Sequence, residues 1–140
     1  MAPLEAGYTV ERGEAMNPQV SIGFGASSHA ICADIVCLIR ETIRETFMDF
    51  GPQTLLATLD RRAEIGESVA RSLGLKIVLL PANILSGVRG VTSSSIRAAD
   101  AVGTASVAEA AALASLGVAA HLLIPRRVGH LCTCAVAVLR

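Results

Sequence analysis

Hydrophobic positions in the first half of the chain change period several times, and each change marks an element. Val20-Ser21-Ile22-Gly23-Phe24 is a short apolar run that predicts a strand, and Gly25-Ala26-Ser27-Ser28 predicts the turn that leaves it. Ile31, Ile35, Leu38, Ile39, Ile43, Phe47 and Phe50 then recur at helical spacing. Asp34, Arg40, Glu41, Arg44, Glu45 and Asp49 lie largely off that stripe, the pattern of an amphipathic helix laid over a sheet. Ser27 or Ser28 is placed to cap it, and Gly51-Pro52 to end it. Thr54 to Leu59 predicts a second strand closed by Asp60. Ala63, Ile65, Val69, Ala70 and Leu73 predict a second helix stopped by Gly74, and Lys76 to Leu80 a third strand broken by Pro81. Strands alternating with helices in this way imply parallel pairing through right-handed crossovers.

The pattern weakens after Pro81. Residues 81–85 suggest a short helix, Gly87 to Val91 a loop running into Thr92-Ser93-Ser94-Ser95, and Ile96 to Val102 another short helix. From about Val107 to Leu116 an alanine-rich helix is expected. His121 to Pro125 predicts a strand, Arg126 to His130 a turn around Gly129, and Leu131 to Leu139 a strongly apolar last strand returning as a hairpin. Residues 1–18 show no sustained period and read as a loosely ordered lead-in, with the domain occupying 19–140. The expected fold is a single α/β domain: about five strands in a mixed, mostly parallel sheet, helices on both faces, and a C-terminal β-hairpin.

Composition narrows the function more than it names it. With 140 residues, one domain is the default. Hydrophobic residues make up 52% and charged residues 17%, which suits a well-covered sheet. One Tyr, three Phe and no Trp leave little for a base-stacking platform, and a formal net charge of zero gives no electrostatic case for nucleic acid. No apolar run approaches the roughly 20 residues of a membrane span, and the N-terminal stretch lacks the apolar core of a secretory signal. Four cysteines in that setting lead to the expectation of a cytoplasmic protein.

Candidate chemistry gathers where strands give way to helices. Ser106-Val107-Ala108-Glu109 has the form of a capping box, and Gly117 suits the left-handed position beyond a helix end. A well-capped structural helix accounts for nearly all of the alanine stretch. Gly103 and Thr104, just before it, would let an anion approach the helix start closely. Gly23-Phe24-Gly25 offers a similar loop, but Ser28 stands where a dinucleotide fingerprint has its third glycine. A generic anion-accepting loop at a strand end fits better. His29 is expected in the first turn of the following helix, either simply exposed or facing a ligand. Arg126 follows Pro125 at a strand end, either solvated or poised to fork onto a carboxylate. His121 and His130 have no acid at metal-ligand spacing. The cysteines have no Cys-x-x-Cys and are expected to be buried and structural; no metal site and no cofactor is anticipated.

Taken together, "VGTASVAEAAALASLG" and "HLLIPRRVGHLCTCAVAVLR" resemble the signature of the CobE/CbiG C-terminal family of cobalamin biosynthesis: G-x-[PA]-S-V-x-E-A-A-A-L, a strand ending in P-[KR], a short turn and a final T-x-A-[VI]-A strand. "IGFGASSHA" is similar to the family's G-x-G-C-R loop, and "ATLDRRAEIG" to its second-strand exit. The likeness covers about residues 20–139. It implies a corrin-pathway protein that binds a polycarboxylate tetrapyrrole intermediate as carrier or accessory factor. The other activities it implies are opening of a precorrin lactone and non-catalytic docking on a corrin methyltransferase. The site it suggests comprises Gly23, Gly25, Ser27, Ser28, His29, Asp60, Arg62, Gly103, Thr104, Ser106, Glu109 and Arg126. Ala26 and Ser27 stand where the family often has Cys and Arg, and Arg62 where Lys is common.

Overall fold

The computed structural model describes residues 19–46, 54–88 and 107–139. The elements are β1 (Gln19–Ala26), α1 (Cys32–Thr46), β2 (Thr54–Leu59), a 3-10 turn (Asp60–Arg62), α2 (Ala63–Leu73), β3 (Lys76–Leu80), α3 (Ala82–Leu85), α4 (Val107–Leu116), β4 (His121–Val128) and β5 (Cys132–Leu139). The expectations for the lead-in, for Phe47 to Pro52 and for residues 89–106 lie outside the described residues.

The five strands form one sheet in the order β3-β2-β1-β5-β4. β1 pairs in parallel with β2, and β2 with β3. β5 runs antiparallel to both β1 and β4, so it alone is reversed. This is the mixed, mostly parallel sheet with a C-terminal hairpin that the alternating pattern predicts. Side chains alternate across the strands. Ile22 and Phe24 of β1, with Cys134 and Val136 of β5, pack against Ile35 and Ile39 of α1 on one face. α2 completes that layer through Val69 and Ala70. On the other face α4 lies on the sheet through Ala108, Ala110, Ala111 and Ala112, all buried, with Leu85 of α3 beside it.

Helix ends follow local chemistry. Gly74 closes α2 at φ +70°. The N–H of Leu75 donates to the Ala70 carbonyl, and that of Gly74 to Arg71. This is a Schellman pair that a residue with a Cβ would strain. Gly117 ends α4 at φ +105°, its N–H donating to Leu113.

Three element boundaries are corrected. β1 does not stop at Phe24: Gly25 and Ala26 stay extended because they pair with Thr133 and Cys132 of β5. α1 starts at Cys32 rather than beside Ser28, so neither serine caps it and His29 lies in the preceding loop. There the Ser27 hydroxyl accepts the His29 N–H at 3.1 Å, a local turn that competes with helix. Finally, Arg126 to Val128 belong to β4, not to the turn. Pro125 has no N–H to give, but β4 is an edge strand, where proline and register shifts are tolerated. The tight connection is confined to Gly129–Leu131, with Leu131 at φ 62°.

The cysteines divide by face. Cys132 and Cys134 are buried beneath α1, whereas Cys32 is half-buried and Cys37 exposed, against the expectation that all four are core residues. Burial pushes the thiols of Cys132 and Cys134 from the ordinary 9.0 up to about 11. Both therefore stay neutral in the fold at a pH where the unfolded chain ionises them, so stability falls as pH rises from 9 towards 11. A urea midpoint that drops over this range, and drops less steeply in Cys134→Ala, is the expected result. A thiol reagent at pH 8 should label Cys37 in the native protein and reach Cys132 and Cys134 only after unfolding.

Candidate functional site

Parallel order places the ends of β1, β2 and β3 on one edge of the sheet, and the reversal of β5 brings its start to that edge as well. α4 runs against the direction of β1. Its Ser115 hydroxyl meets Ser21, while Ala108 and Ala112 lie over Gly23. The first turn of α4 therefore sits over the end of β1.

Several candidate residues meet on this carboxyl edge. The β1–α1 loop holds Ser27, half-buried, with Ser28 and His29 exposed. The Ser27 N–H donates to the Leu131 carbonyl at 3.0 Å, which ties this loop to the β4–β5 turn and its exposed His130. Asp60, exposed, and Arg62, half-buried, follow β2 in the 3-10 turn. Arg62 donates from Nε to the Ala26 carbonyl at 2.9 Å, which ties the exit of β2 to the end of β1. Arg126, half-buried on β4, donates its backbone N–H to Oε2 of Glu109 at 2.8 Å. Glu109 is only 1% exposed, and this bond joins the first turn of α4 to the edge strand. The capping-box reading gives Glu109 a partner at the helix start; the structure gives its Oε2 one on β4. Ser106, the other half of that box, lies outside the described residues, as do Gly103 and Thr104.

The two glycines part company. A Cβ on Gly23 would overlap the Ala108 carbonyl and lie 2.6 Å from the Ala112 nitrogen, so Gly23 is where α4 touches the sheet and has no room for a ligand. Gly25, one pleat further along, is opposite Thr133 nearer the open edge. Thr133 was not among the expected residues. It is the threonine of the T-x-A-[VI]-A pattern, the one signal in the chain that pointed to it. Among the described residues no three His, Cys, Asp or Glu gather as metal ligands.

The edge thus brings together Arg62, Arg126 and the hydroxyls of Ser27 and Ser28, over a sheet whose strands run up to it; the Ser27, His29 and Ala30 amides are already bonded within the protein. Arginine guanidinium forks are the groups here whose chemistry suits carboxylates. Ala26, where the family often has a cysteine, is buried and brings no nucleophile.

Comparison with known proteins gives this edge a context. The family profile described as "Cobalamin synthesis G C-terminus" matches residues 20–137. Among solved structures, CobE, described as a protein from the cobalamin (vitamin B12) biosynthetic pathway, superposes with a TM-score of 0.69 at 24% identity, covering 89% of this chain and 96% of that one. The cobalamin biosynthesis protein chiG from Agrobacterium tumefaciens gives 0.62 at 28% identity over 84% of this chain and 96% of that one. A putative cobalamin biosynthesis protein G homolog from Sulfolobus solfataricus gives 0.70 at 20% identity, over 87% of this chain but 37% of its own length. Comparison with curated protein sequences gives no match. The chain belongs to the cobalamin synthesis G C-terminal family, and its place is in cobalamin biosynthesis.

Proposed function

We propose that the protein binds a polycarboxylate corrinoid intermediate at the carboxyl edge of its sheet, as a carrier or accessory factor. A corrin precursor is a broad macrocycle rimmed with acetate and propionate groups, so anion-accepting side chains spread along an edge suit it. The observation that supports this reading is the tying together of four chain segments at one edge. Arg62 is held on the end of β1, Ser27 on the β4–β5 turn, and Arg126 on Glu109 of α4. Lactone opening finds less support, since Ala26 and Ser27 replace the Cys–Arg pair frequent in the family.

Titration with hydrogenobyrinic acid, followed by its absorption spectrum, tests the proposal. A saturable spectral change at micromolar protein is expected, weakening about tenfold in Arg62→Ala, whose guanidinium is lost from the rim. Absence of any change at high micromolar concentrations would overturn the reading.

A further inference from the structure

We propose that the Thr133 hydroxyl is a ligand-contacting group of this edge, donating to or accepting from a polar group of the bound polycarboxylate; this rests on the corrinoid reading above. Thr133 Oγ1 is buried, and among the described residues it has no hydrogen-bond partner. Buried hydroxyls are nearly always paired, so an orphan one calls for an explanation. Its position supplies it. Cys132 and Cys134, its neighbours on β5, face α1, so Thr133 faces the α4 side with Ala135 and Ala137. It stands opposite Gly25, the last residue but one of β1, and Val128, the last residue of β4. Gly25 has no side chain, so β1 offers the hydroxyl no side-chain partner at that position. The residue as a whole is partly exposed although its oxygen is covered, which puts the hydroxyl just inside the rim. On the same side, Glu109 of α4 holds the backbone of Arg126, which lies two residues before Val128, the β4 partner of Thr133.

Three proteins decide the matter: wild type, Thr133→Val and Thr133→Ser, each titrated with hydrogenobyrinic acid and melted without it. Valine keeps the shape and removes the hydroxyl; serine keeps the hydroxyl. The expected result is a Kd about tenfold higher for valine, a Kd within about twofold of wild type for serine, and a valine melting temperature equal to or above wild type, since an unpaired hydroxyl has been removed. Wild-type binding that valine leaves unchanged, or that serine loses equally, overturns the role of the hydroxyl and leaves the corrinoid reading standing. A valine variant that melts well below wild type overturns it too, by revealing an internal partner. If wild type itself does not bind, both fall.

Discussion

Gly23→Ala is expected to lower the melting temperature by about 10 °C, and Gly23→Val to prevent folding. The obstruction is backbone, not side chain: a methyl at this position overlaps the Ala108 carbonyl and crowds the Ala112 nitrogen, neither of which can rotate away. α4 must lift from the sheet, loosening the contacts of Ala110, Ala111 and Ala112 together. Overpacking of this kind costs about 3 kcal/mol or more, and each kcal/mol moves the melting point by roughly 3–5 °C in a domain of this size. Gly66→Ala is the informative contrast. Its Cβ would meet the tip of Ile77 at 2.7 Å, a flexible atom, and Gly66 lies inside α2. Alanine gains about 1 kcal/mol of helix propensity there, so the two effects nearly cancel and the melting point should stay within about 3 °C of wild type. Thermal unfolding followed by circular dichroism checks both. An unperturbed Gly23→Ala would mean that α4 does not rest on β1.

Glu109→Ala should be the second severe change, at about 2–4 kcal/mol. It empties a buried side-chain volume and strips the Arg126 N–H of its acceptor. Glu109→Gln keeps the volume and a carbonyl oxygen able to accept the same N–H, so it should cost about 1 kcal/mol. Urea unfolding with an unchanged slope separates the two by midpoint. Hydrogen exchange adds a local readout: the Arg126 amide should lose protection in the alanine variant and keep it in the glutamine one. Equal losses in both would show that the charge, not the Arg126 hydrogen bond, is what matters.

The regular parts of the fold were legible wherever one residue pattern dominated. The alanine helix was placed from Val107 to Leu116 because the run has strong propensity and a glycine at its end. α2 was legible because its apolar stripe stops at a glycine able to take positive φ. What misled was local chemistry overruled by pairing at a distance. Gly25 and Ala26 look like a turn in isolation and become strand because β5 runs beside them. Pro125 looks like a strand end and is tolerated because β4 has an open side. The same non-locality explains the site. The bond from Glu109 to Arg126 and the pairing of Thr133 with Gly25 join residues that no spacing rule connects. Gly23 carries the opposite lesson: a glycine beside a helix start suggests a ligand, yet here it admits another helix.

β1, at the centre of the sheet, is matched over its whole length by β5, which is made long after it. A nascent chain that has reached β4 still has Ile22 and Phe24 with one flank of their strand unpaired, and no N-terminal portion can close into a finished unit by itself. Folding must await synthesis of Cys132–Leu139, so chaperone dependence and premature-termination damage should both be governed by those eight residues.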